Sequence, residues 1–91
     1  MSKELLIKKI RAEEEAFIKA MLLRSPAEII EAAYEITYRK EIICILETSY
    51  FSEEEIEKIL SLPDALSDLY YYWLDWDGDC LKEAIEDYFK N

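Results

Sequence analysis

Twelve residues near the end of the chain, "DWDGDCLKEAIE" (75–86), put carboxylates at places one, three, five and twelve: Asp75, Asp77, Asp79 and Glu86. Calcium takes oxygen ligands, and EF-hand loops space their carboxylates this way. The rest of the segment argues against that chemistry. Such a loop needs Gly at place six for its sharp turn, and here Cys80 stands there. Place eight, normally apolar, is Lys82. An apolar stripe of Leu81, Ala84, Ile85, Tyr88 and Phe89 already runs at helical spacing from place seven onward. A helix there carries Glu86 away from the aspartates. The sequence therefore predicts a turn over 75–79, with Gly78 in an unusual backbone conformation and Asp79 capping the last helix. Neither a metal site nor a cofactor is expected.

Other catalytic chemistry is thinly supplied. The chain has no histidine, so no Cys–His or Ser–His nucleophile pair can form within it. It has no Gly-rich phosphate loop. Paired carboxylates can do acid–base work. With 21 Asp and Glu among 91 residues, however, some must be neighbours by number alone. The expectation is a binding protein and not an enzyme.

The aromatic residues say more. "LYYYWLDW" (69–76) holds Tyr70, Tyr71, Tyr72, Trp73 and Trp76, and no helix buries all of these on one stripe. With Leu69, Tyr70 and Trp73 toward the core, Tyr71, Tyr72 or Trp76 falls at the rim or outside. Exposed Tyr and Trp are favoured anchors for protein partners. Equally, a small bundle fills its core with large aromatics whose hydroxyls reach water. The neighbouring Asp68, Asp75, Asp77 and Asp79 favour the binding reading.

Charge is uneven along the chain. Residues 1–24 carry six basic and four acidic groups, residues 25–51 two and five, and residues 52–91 three and twelve. The last stretch is a strong acidic field. It repels phosphate, so direct binding of DNA or RNA is not expected. One reading is a solvated face that keeps the protein soluble. The other is mimicry, with carboxylates spaced like backbone phosphates filling the basic groove of a nucleic-acid-handling protein. Glu53, Glu54 and Glu57 are candidates for such a face, with Glu53 and Glu57 on one helical side. Glu83, Glu86 and Asp87 are expected together on another. The predicted partner-binding set is Asp68, Tyr71, Tyr72, Asp75, Trp76, Asp77, Asp79, Glu83, Glu86 and Asp87.

These side chains need a scaffold, and the spacing predicts an all-α one. A chain of 91 residues makes a single domain, residues 1–91. It buries about two-thirds of its unfolded surface. Ser2 is a candidate cap for a first helix reaching Leu23, with Leu6, Ile10, Phe17 and Met21 inward and Ile18 and Leu22 widening the stripe. Glu13, Glu14 and Glu15 interrupt that stripe and suggest a bend. "SPAE" (25–28) is a capping box with Pro at the first helical position. The helix after it, apolar all round over 42–46, is the expected centre of the fold. "YRKE" (38–41) is a polar interruption where it could kink or split. "SEEE" (52–55) repeats the capping box. Pro63 ends that helix and Asp64 caps the next. The result is a compact bundle of five helices, or six if the second is split.

Cys44 and Cys80 make no disulfide framework or metal spacing. Cys44, inside "EIICILE", is expected to pack as a small hydrophobe. "MSKELLIKKI" does not read as a signal peptide, because charges interrupt its apolar residues. No apolar run approaches the ~20 residues a membrane helix needs. A reducing cytoplasm is the simplest setting.

"SPAEIIEAAYEITYRKEIICILE" and "FSEEEIEKILSLPDALSDLYYYW" together resemble a family of small helical proteins from Gram-positive gut bacteria and their mobile elements, a domain of unknown function. The family's "PPEEIL" helix start is matched by 26–31 and its "YE" plus "REDIL" helix by 34–46. Its "LSxEQAxALL" helix is matched by 51–60 and its "PLADxF" helix by 63–70. The tail from Trp73 departs from the pattern. The resemblance carries no catalytic residues. It implies a setting, mobile elements, where small acidic proteins inhibit host defence nucleases, as phage-encoded anti-CRISPR proteins do. The leading expectation is therefore an inhibitor of a basic partner, a nuclease or CRISPR effector. The alternative is a non-inhibitory adapter or homo-oligomer, such as a homodimer packed through its aromatic surface.

Overall fold

Local capping chemistry sets where the helices begin. A computed structural model describes residues 2–90 as six helices, with no strand among them. These are α1 (Ser2–Leu22), α2 (Pro26–Glu31), α3 (Ala33–Thr48), α4 (Glu53–Leu60), α5 (Ala65–Leu74) and α6 (Leu81–Lys90). At α2 the Ser25 hydroxyl accepts from Glu28 N at 3.3 Å, and the Glu28 carboxylate accepts from Ser25 N at 3.1 Å. Ser52 and Glu55 close the same box at α4, at 3.2 and 2.8 Å. The Asp64 carboxylate accepts from Ser67 N at 3.2 Å and starts α5. Each arrangement satisfies backbone donors that a helix start leaves open.

Two expected caps are not formed. Ser2 is the first residue of α1 itself, so the capping position falls on Met1, outside the described residues. The Ser2 hydroxyl instead donates to a Glu53 carboxylate oxygen. Asp79 lies one residue too early, since Cys80 directly precedes α6 and its carbonyl accepts from Ala84 N at 3.2 Å.

The expected long second helix is two helices, and the break is not at 38–41. The chain turns at Ala32 (φ −85°, ψ 2°). Its backbone stays satisfied there: Ala32 N donates to Glu28 O at 3.0 Å, and Ile36 N donates to Ala32 O at 2.9 Å. Residues 38–41 continue α3 unbroken because their polarity is spent inward. Arg39 is only 1% exposed. Its Nε donates to Glu14 Oε1 at 3.1 Å, and its Nη1 lies 3.5 Å from Glu35 Oε2 and 3.1 Å from Ser67 Oγ. The guanidinium also sits 4.0 Å from the centre of the Phe17 ring. Burying a cation is costly unless it is paired and hydrogen-bonded. These four partners, from α1, α3 and α5, meet that need and join three helices.

The three consecutive acids of α1 are explained the same way, and α1 runs through them without a break. Glu13 accepts from Lys9 at 2.6 Å, from Ala65 N at 3.0 Å and from Leu66 N at 2.8 Å. It is thus a cap for α5 supplied from a different helix. Glu14 faces Arg39, and Glu15 pairs with Lys19 at 3.3 Å on the surface.

The core takes Leu6 and Ile10 from α1, Ile42 and Leu46 from α3, Ile56 and Ile59 from α4, Leu66 and Leu69 from α5, and Ile85 from α6. Phe51 and Phe89 close one end with ring centres 4.8 Å apart. α3 holds the expected central place, packing against α1, α2, α5 and α6. It is not buried all round. Ile42 and Leu46 face the core, which turns Cys44 about 200° away at 100° per residue. Cys44 is accordingly exposed, against expectation, and so is Cys80.

Candidate protein-binding surface

The site is built on α5 and α6, which pack together. Leu69, Tyr70 and Trp73 of α5 turn inward as the spacing predicts. Trp73 stacks on Tyr38 at 5.3 Å between ring centres, Tyr38 stacks on Tyr34 at 4.5 Å, and Trp73 Nε1 donates to the Tyr34 hydroxyl at 3.3 Å. Aromatic pairs at these separations add attraction beyond their buried area. This ladder fixes the rotation of α5 about its own axis.

That rotation decides the fate of the other three aromatics. Tyr72 and Trp76 are half-buried, stacked at 6.2 Å. Tyr72 meets Tyr88 of α6 edge-on at 5.3 Å, and its hydroxyl donates to an Asp87 carboxylate oxygen. They form a ledge across the α5–α6 seam. Tyr71 alone stands out, 59% exposed, with only the edge of Tyr70 against it at 5.5 Å. The exposed Leu74 lies at i+3 from Tyr71 on the same helix, a neighbour that helical spacing alone could have named. The exposed Tyr34, 6.3 Å from Tyr70, comes from another helix and has no such sequence signal.

Two carboxylates flank Tyr71, and four more stand on the turn and α6 beyond it. Asp68 and Asp75 lie at i−3 and i+4 from it, one turn to either side, and both are exposed. Asp77 and Asp79 in the following turn are exposed, as are Glu83 and Glu86 on α6. None of these six takes part in an ion pair among the described residues. Glu83, Glu86 and Asp87 stand at i, i+3 and i+4 of α6, spacing that puts them on one side of the helix, but their neighbours differ. Asp87 accepts from the Tyr72 hydroxyl across the seam. Glu86 lines a different feature with Lys82, a cleft of about 260 Å³ beside Phe51 and Phe89.

Burial raises the Tyr88 phenol above its ordinary value of 10.0, and the nearby Asp68 carboxylate raises it further. Burial likewise raises Tyr70, with smaller contributions from Glu35, Tyr34 and Tyr71. Tyr38 is raised chiefly by its stacked neighbour Tyr34. These phenols stay neutral hydrogen-bonding groups at physiological pH.

α6 begins at Leu81, so Glu86 lies inside a helix while the aspartates lie in the turn before it. No group of three Asp, Glu or Cys side chains among the described residues is placed to hold a metal ion. Gly78 does not have the positive φ that the turn suggested. Its reason is space. A Cβ there would lie 2.8 Å from Trp76 Nε1, so the missing side chain lets the indole fold over the turn.

No helix among the described residues is long and apolar enough to cross a membrane. No protein-family model matches the chain, and no curated protein or solved structure matches it.

Proposed function

We propose that this chain is a small acidic binding protein that inhibits a basic, nucleic-acid-handling protein by occupying the surface that would hold the nucleic acid. The observation that carries this reading is the set of six carboxylates on α5, α6 and the turn between them, exposed and without ion pairs among the described residues, with Asp68 and Asp75 one turn to either side of an exposed Tyr71. Unpaired carboxylates attract a Lys/Arg-rich groove and speed encounter with it. Tyr71 and Leu74 supply an apolar contact that phosphate lacks, which gives specificity beyond charge. The ledge of Tyr72 and Trp76, tied to Asp87, keeps the acids on a rigid base. The resemblance to small proteins of mobile elements supports a defence nuclease or CRISPR effector as the partner class. Inhibition in this reading is steric and electrostatic, and needs no cofactor and no catalytic residue of the chain itself.

The test is a pull-down from host lysate with wild-type protein and with the triple variant Asp75→Lys, Asp77→Lys, Asp79→Lys. The wild type should retain a nucleic-acid-binding protein that is released by added duplex DNA and by rising salt. The triple variant should retain none of it. Tyr71→Ala should weaken capture by a hot-spot-sized amount, about 2 kcal/mol or roughly 30-fold. Equal capture by wild type and triple variant would sink the electrostatic half of the proposal.

A further inference from the structure

We infer that the end of the molecule formed by the last turns of α1, residues 23–25 and α2 is the contact surface for a second copy of this chain. Leu22, Leu23 and Ile30 are 73%, 89% and 74% exposed there. Only residues 23–25 separate α1 from α2, so these side chains share one end. α2 is six residues long and buries none of them. Helices this short are marginal alone and draw their stability from packing of an apolar face. Within one copy, α2 has its capping box and packs on α3, but none of its side chains is fully buried.

Charge selects a second copy as what covers this end. A protein of net charge −10 repels its own kind. Approach of two copies is opposed least where local charge is low, and this end carries little net charge. Lys19 pairs with Glu15 at 3.3 Å and Arg24 with Glu28 at 3.4 Å. Residues 16–31 as a whole carry Lys19, Arg24, Glu28 and Glu31, with no net charge. The opposite end of α1, where Ser2 meets Glu53, lies about 31 Å away by helical rise, roughly three screening lengths at 0.1 M salt.

The patch also complements itself. In a two-fold dimer each residue of the interface meets the same patch on the other copy. The Arg24–Glu28 pair of one copy can then lie beside Glu31 of the other while Leu22, Leu23 and Ile30 meet at the centre. Such a dimer displays two acidic faces and can engage a two-site partner with raised effective affinity.

Sedimentation equilibrium of the full chain under reductant, over a concentration series at low and high salt, tests this. The expected result is a monomer–dimer equilibrium that tightens as salt rises, because screening relieves repulsion between the copies while apolar burial persists. The double variant Leu23→Glu, Ile30→Glu should sediment as monomer at every concentration with unchanged helical circular dichroism. A wild type that stays monomeric across the series overturns the inference, as does a dimer that loosens with salt. A dimer that survives in the double variant overturns it too, by placing the interface elsewhere. The salt series needs no mutation, so a variant that fails to fold leaves the test intact.

Discussion

Six carboxylates in the first part of this chain are used differently from six in the last part. Glu13, Glu14, Glu15, Glu28, Glu35 and Glu47 each stand against a Lys or Arg, at 2.6 to 3.5 Å. Two of them do structural work at a distance, Glu13 capping α5 and Glu14 holding Arg39. Asp68, Asp75, Asp77, Asp79, Glu83 and Glu86 have no such counterpart among the described residues. The difference is not a lack of bases nearby. Lys58 lies in the same region, donating to Tyr88 O at 3.0 Å and sitting over the Tyr88 ring at 4.8 Å. Glu13 and Glu14, which hold the fold, each stand against a base, whereas these six outward-facing acids are left for solvent or for a partner. The comparison separates a stability role from a recognition role on one charge type.

Five measurements break or sharpen that comparison. The largest effect is expected from Arg39→Ala, which strands Glu14 and Glu35 around a lost cation. Removing one partner of a buried pair costs about 3–5 kcal/mol, read as a lower denaturant midpoint. Next comes Glu13→Ala, which takes the acceptor from two N–H groups of α5. Hydrogen bonds to a charged group contribute about 1.5–3 kcal/mol, and amide exchange at Ala65 and Leu66 should accelerate with the loss. Third, the reversals at Asp75, Asp77 and Asp79 should each leave stability within about 0.5 kcal/mol of wild type, as surface substitutions do. A large loss there would contradict the division of roles.

The smallest effects are at the extremes of pH. The Glu28 carboxyl is held below its ordinary 4.5, chiefly by the Ser25 backbone N–H, then by the Ser25 hydroxyl and Arg24. A lowered carboxyl stabilises the fold above its unfolded value, and that stability is lost as pH falls through the folded one. α2 should therefore fray first in acid, seen as early loss of its amide protection. At the other end, Tyr38, Tyr70 and Tyr88 are raised above 10.0. Their contribution is complete below 10.0 and is lost as pH rises through the raised values. A phenolate absorbance titration should show these three ionising above pH 10.0.

Local chemistry was legible in the sequence, and long-range chemistry was not. The two capping boxes and the Asp64 cap involve residues three apart, so their spacing announces them. The burial of Leu69, Tyr70 and Trp73 follows from helical period, and so does the exposure of Tyr71. Arg39 looked like a polar interruption because its partners Glu14 and Ser67 lie 25 and 28 residues away. Glu13 looked like a bend for the same reason. The turn at Ala32 has neither Gly nor Pro to mark it. The two roles of carboxylate are equally invisible in sequence, since the letter is the same whether the side chain turns in or out.

The distance between Glu13 and the helix it caps has a consequence for synthesis. The carboxylate leaves the ribosome 52 residues before Ala65, its first α5 partner. Through that interval Lys9 is the partner that α1 itself offers this carboxylate, and a nascent chain ending before Asp64 lacks the two α5 amides it caps. Arg39 likewise waits for Ser67. The Glu13 cap on α5 and the Arg39–Ser67 contact thus close within three residues of each other as α5 emerges. The N-terminal helix is made first and locked late, and α5 acts as the latch.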